Sequence, residues 1–98
     1  MYRQGDILIM PVPEASVPPG LVAEPRDPKG RIVLALGEAT GHAHALHGPG
    51  TLYRGYLHLP EGGRLVHEEH ATIPLPKGWF RIVRQREYVP GSFRVVAD

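Results

Sequence analysis

Short apolar runs alternate with glycine and proline along this chain. No stretch of ten or more residues carries an apolar stripe at i, i+3, i+4 and i+7, which excludes a long helix. Period-two alternation and turn residues predict strands instead. Asp6 to Met10 reads as a first strand, ended by Pro11 and Pro13. Residues 11–30 hold six prolines (11, 13, 18, 19, 25 and 28) and read as a polyproline-like arm, with a short strand at Leu21 to Ala23. Arg31 to Leu36 is apolar on both faces, the pattern of a central strand. Gly37 to Gly50 is a histidine-bearing segment. Thr51 to Leu59 alternates, with Tyr53, Leu57 and Leu59 on one face and Arg54, Tyr56 and His58 on the other. Glu61-Gly62-Gly63 turns the chain. Arg64 to His67, Ala71 to Leu75, Trp79 to Gln85 and Phe93 to Val96 complete the set, with a Pro76-Lys77-Gly78 turn before Trp79. The expected fold is all-β, a small barrel or two-layer sandwich of about eight short strands.

Length and composition narrow this further. At 98 residues the chain is expected to form a single β domain, residues 1–98, with residues 11–30 as its arm. Gly (12) and Pro (11) punctuate the strands and do not pool into one disordered tract. The absence of cysteine excludes disulfides and thiolate sites. It fits a reducing compartment. Residues 1–6 lack the apolar core of a signal peptide, and no run approaches the ~20 residues of a membrane helix. A cytoplasmic location without membrane contact is the expectation. Eleven basic residues against ten acidic ones give a net charge of +1, which disfavours nucleic acid as a partner.

The candidate chemistry lies in the histidines. Five of the six fall in two groups, Gly41-His42-Ala43-His44-Ala45-Leu46-His47 and His67-Glu68-Glu69-His70. On a strand, His42 and His44 project from one face. Small neighbours at 41, 43 and 45 leave those imidazoles accessible. His67 and His70, three apart, face alike in a tight turn. If the groups meet, His42, His44, His67 and His70 can hold a divalent metal ion, with zinc as one candidate. Glu38, Glu68 and Glu69 are available to replace a ligand or orient one. A mixed His and carboxylate set would also admit iron, manganese or nickel. The competing reading is a solvent-facing, His-rich loop. His58 sits between Leu57 and Leu59 and reads as a surface residue. No catalytic residue is identified: Ser16 and Ser92 have no nucleophile elbow, and Gly37 to Gly41 lacks the spacing of a phosphate loop. The Trp79, Phe80 and Tyr88 rings flank Arg81, Arg84 and Arg86, an arrangement that single-stranded nucleic-acid binders use. The structural alternative places Phe80 and Ile82 in the core, Arg81 in solvent and Arg84 or Arg86 against a carboxylate.

The chain resembles a group of short uncharacterised bacterial proteins. The matching pieces are Arg3-Gln4-Gly5-Asp6-Ile7-Leu8, Gly37-Glu38-Ala39-Thr40-Gly41-His42-Ala43-His44, Glu69-His70, Leu75-Pro76-Lys77-Gly78, Gln85-Arg86-Glu87-Tyr88 and Val96-Ala97-Asp98. That resemblance implies no activity. Gly37, His42 and His44 are also similar to the first element of cupins, small β-barrels with a glycine, a His-x-His, a Glu and a later His. The Glu is missing here, so His47 would have to stand in, and Pro76-Lys77-Gly78 has no His after it. The leading expectation is a metal-binding accessory or structural domain, with a homo-oligomer and an unidentified protein as partners. The alternatives are a metal-free protein interaction module, a cupin-type metal-dependent enzyme and a single-stranded nucleic-acid binder. A closed four-ligand site would mark a structural role, and an open position with a pocket would mark an enzyme.

Overall fold

A computed structural model describes residues 1–36, 42–89 and 92–95, and side chains as far as Gln85. The strands are β1 (Tyr2–Gln4), β2 (Ile7–Val12), β3 (Ile32–Leu36), β4 (Ala43–Leu46), β5 (Thr51–Tyr53), β6 (Tyr56–Leu59), β7 (Gly63–Leu65), β8 (Ile73–Leu75), β9 (Gly78–Arg84), β10 (Arg86–Val89) and β11 (Ser92–Val95). The helical content of the described residues is one 3-10 turn, Glu14–Ser16. The all-β expectation holds, with eleven strands among the described residues in place of about eight.

One layer is a five-stranded antiparallel sheet in the order β1-β2-β9-β6-β5. The hairpins β3–β4 and β7–β8 form the facing layer. A bridge joins them, in which Ala45 and Val66 exchange both backbone hydrogen bonds at 3.0 and 2.9 Å. The sheets do not close on one another among the described residues, so the sandwich replaces the barrel. Strand alternation explains the core. Ile7 and Ile9 of β2, Leu57 and Leu59 of β6 and Phe80 of β9 point inward from the large sheet. Ile32, Leu46, Leu65 and Leu75 meet them from the hairpins.

Four expectations need correction. Pro11 does not end the first strand: β2 continues to Val12, and Pro11 pairs with Phe80. It lies beyond the reach of β1, whose pairing stops at Ile9, and an open strand edge tolerates a residue without an N–H. Thr51 to Leu59 is a hairpin, not one strand. Tyr53 pairs with Tyr56 across Arg54-Gly55, and Gly55 takes the positive φ (81°) that this turn needs. Arg31 to Leu36 is not central, since β3 pairs with β4 alone among the described residues. Its outer apolar residues pack across layers, not along a sheet, with Leu34 and Ala35 against the core. The strand expected at Leu21 to Ala23 shrinks to one bridge, Ala23 with Tyr53. No helix among the described residues is long and apolar enough to cross a membrane.

Candidate metal centre

The two histidine groups meet because of the Ala45–Val66 bridge. It lays β4 beside the segment that leaves β7, so His42 and His44 on one side face His67 and His70 on the other. The ring centroids of His67 lie 5.5 Å from His42, 4.3 Å from His44 and 4.6 Å from His70. His44 and His70 are nearly parallel, 6.0 Å apart. All four histidines singled out in the sequence therefore share one cluster. Within it, the donor atoms close enough to share an ion belong to His42, His67 and Glu68, all within 4.8 Å of one another.

Each donor is held by identifiable contacts. Glu68 Oε1 accepts the Ala43 N–H at 2.9 Å. That hydrogen bond, joined by the Glu68 backbone N–H and by the nearby His42 and His67, holds the Glu68 carboxyl below the usual range. Glu68 is accordingly an anion at neutral pH. Glu69 Oε1 lies 3.0 Å from His42 Nδ1, close but off the line of a hydrogen bond. A carboxylate there favours the proton on Nδ1 and leaves Nε2 as the ligating atom. His67 is bound differently. Its Nδ1 accepts the N–H groups of Glu69 (3.0 Å) and His70 (3.3 Å), which ties the 67–70 turn together. The neutral ring then carries its proton on Nε2, and metal capture at His67 must displace that proton or release the turn.

His44 lies deeper, fully buried. Its Nδ1 donates to Gln4 Oε1 at 2.9 Å. The direction of this bond is forced: Gln4 Nε2 already donates to the carbonyls of Leu65 (3.0 Å) and Ala71 (2.9 Å), so only the amide oxygen can face the ring. His44 Nε2 faces Asp6 Oδ1 at 3.6 Å. Asp6 Oδ2 in turn accepts from Arg84 Nε at 2.8 Å. Gly5 adopts φ +57°, and a Cβ there would sit 2.8 Å from His70 Nε2 and 3.1 Å from His44 Cε1.

Gln4 and Asp6 are absent from the sequence-derived candidates, and Arg84 enters there only as a nucleic-acid contact or as the partner of an unspecified carboxylate. A signal existed for one of them: Gln4 occupies an inward strand position, where alternation calls for an apolar residue and a polar one needs a partner. Asp6 carries no such mark, and nothing in the sequence selects it as the carboxylate for Arg84. Their pairing depends on the alignment of β2 with β9, which sequence spacing does not display. The remaining histidines stand apart. His47 is exposed, and His58 stacks on Trp79 with centroids 4.5 Å apart. Glu38 lies outside the described residues. Phe80 is buried and Arg81 exposed, as the structural alternative for that segment has it, and Arg84 is committed to Asp6.

A family model matches residues 3–85, a span that takes in Gln4, Asp6, both histidine groups and Arg84. The chain belongs to the family described as Domain of unknown function (DUF8820). No curated protein and no solved structure matches it.

Proposed function

We propose that this family member is a metal-binding β domain whose divalent ion is held by His42, His67 and Glu68, with His44 and His70 lining the site. The observation that carries the reading is the convergence within 4.8 Å of three donor atoms from two separate parts of the chain, His42 on one side and the adjacent His67 and Glu68 on the other. Two features support it. Glu68 is kept ionised by its backbone hydrogen bond, and Glu69 stands behind His42 as an orienting carboxylate. Imidazole and carboxylate donors suit zinc, with iron(II) or manganese as competitors. Three protein ligands leave a coordination position for water or for a partner's side chain. This favours a site used in chemistry or assembly over a closed structural one.

Elemental analysis and zinc titration of protein purified without a polyhistidine tag test the proposal. Stoichiometric zinc is expected, with affinity reduced at least tenfold in His42→Ala and in Glu68→Gln. Glu69→Gln should cost about 10–100-fold, the usual effect of removing an orienting carboxylate. The amide resonances of Glu69 and His70 should shift on loading, because His67 Nδ1 no longer accepts from them in the same way. Zinc affinity equal in wild type, His42→Ala and Glu68→Gln would refute the assignment.

A further inference from the structure

Alternation gives the five-stranded sheet two faces, and its inner residues meet the hairpin layer. On the outer side, the pairing of β6 with β9 sets His58 against Trp79 and Tyr56 against Arg81. The His58 and Trp79 rings stack with centroids 4.5 Å apart at 21°, and Tyr53 of β5 stacks on Trp79 at 5.5 Å and 25°. All three are half-buried, so the stack rests on the sheet with part of its surface in solvent. Arg81 follows Trp79 on the same face, is exposed, and has no ion-pair partner among the described residues. Arg3 of β1 is exposed opposite Leu8, with its Nε–H donated to the Gly5 carbonyl at 3.2 Å. The five strands of this sheet contain no Asp or Glu at any position.

We infer that this face binds single-stranded nucleic acid, with Tyr53, His58 and Trp79 as a stacking platform and Arg81 and Arg3 as phosphate contacts. The rings fit a flat partner, and guanidinium groups on a sheet without carboxylates fit an anionic one. A second copy laid on the same face would bring cations toward cations. Beside the stack lies a depression of about 350 Å³, walled by Trp79, His58 and Val12, with Lys77 and Glu14 at its rim. It offers room for a base against the rings. The platform differs from the grouping that the sequence suggests around Arg81: Phe80 faces the core, and the neighbouring β5–β6 hairpin supplies His58 and Tyr53 in its place. A net charge of +1 disfavours nucleic acid only on average, whereas an incoming strand meets the local field. None of these residues belongs to the histidine cluster, so the inference stands or falls apart from the metal.

Trp79 is the single tryptophan of the chain and reports on its own surroundings. Titration with a short oligothymidylate at low salt should quench its emission saturably. Affinity should fall with salt at a log–log slope of about −1.4, from two phosphate contacts at about −0.7 each. Trp79→Leu, followed by the anisotropy of a labelled strand, should weaken binding by about five- to a hundredfold through the lost stacking. Arg81→Gln changes an exposed residue, which keeps the test open if Trp79→Leu fails to fold. It should weaken binding by about threefold or more at low salt and bring the slope to about −0.7. A duplex of the same length, whose bases already stack on one another, should bind at least tenfold more weakly. Absence of binding at low salt, equal affinity for duplex and single strand, or affinity unchanged in both variants would overturn the inference. So would Trp79 emission that changes with protein concentration alone, together with a sedimenting dimer that Trp79→Leu breaks; that result would assign the face to a second copy.

Discussion

Phe80 and His44 are equally buried, with 1 % and 0 % of their surfaces exposed, yet they hold their ends of the sandwich by different forces. Around Phe80 lie Ile7, Ile9, Leu57 and Leu59, which gain stability simply by leaving water. That attraction has no direction, and a neighbour of similar volume can replace most of it. Around His44 lie directional hydrogen bonds and ion pairs. Gln4 reaches three backbone or ring partners, Asp6 reaches Arg84, and His67 ties two amides of its own turn. Such a network contributes modestly when complete and costs heavily when one member is removed, because the others remain buried without partners. The apolar end therefore stabilises the fold, and the polar end positions groups. A fold this small maintains a buried polar cluster at a cost, which suits a cluster with work to do.

Substitutions at the two ends separate these roles. The largest effect is expected at the apolar end. Phe80→Ala should cost about 3–5 kcal/mol, a large share of a total near 5–15 kcal/mol, measured by urea denaturation. A loss under about 1 kcal/mol there would mean that Phe80 is not the keystone of the core.

Gln4→Leu comes next. It is close in size, but it leaves the Leu65 and Ala71 carbonyls and His44 Nδ1 without their partner. About 2–4 kcal/mol should be lost, although the substitution adds apolar character. If Gln4→Leu stabilised the protein, the polar network would be no more than a tolerated defect.

Gly5→Ala tests the space between His44 and His70. The left-handed backbone at +57° disfavours any side chain by about 1–2 kcal/mol, and the new Cβ would press on His70 Nε2. The change should weaken the histidine end alone. Hydrogen exchange should accelerate near residues 67–70 and stay unchanged in β6 and β9.

The smallest effect is the pH dependence of Glu68. Its folded-state pKa lies below the ordinary value of 4.5, chiefly because Ala43 N–H donates to it. A depressed carboxyl pKa adds stability that is fully present above the unfolded value and fades as pH falls through the folded one. The difference in melting temperature between wild type and Glu68→Gln should be constant above about pH 5 and shrink below pH 4.5. A difference that instead grew on acidification would reverse the sign and refute the assigned contact.

Local pattern made much of this protein legible. The alternation of Leu57 and Leu59 about His58 marks inward positions in any strand. Of the Pro76-Lys77-Gly78 turn, a bend at Lys77 remains, with Gly78 already the first residue of β9. The missing 3.6-residue stripe excluded a long helix, and His-x-His with His-x-x-His identified the residues that cluster. These properties depend on neighbours a few positions apart. The two-residue hairpin at Arg54-Gly55 was the local feature hidden, because alternation of apolar and polar residues runs on unbroken through it.

Long-range pairing supplied the rest. Whether β3 lies in the middle of a sheet depends on which strands flank it, and its apolar faces look the same when the cover is another layer. The meeting of His42 and His44 with His67 and His70 rests on one bridge, Ala45 with Val66, and the choice of Asp6 as partner for Arg84 rests on how β2 lies against β9. Gln4, Asp6 and Glu68 are ordinary polar residues until the fold removes the water around them or brings a backbone N–H to them. Desolvation and hydrogen-bond direction then decide which atom carries a proton and which offers a lone pair, and those are properties of positions in space, not of residues in order.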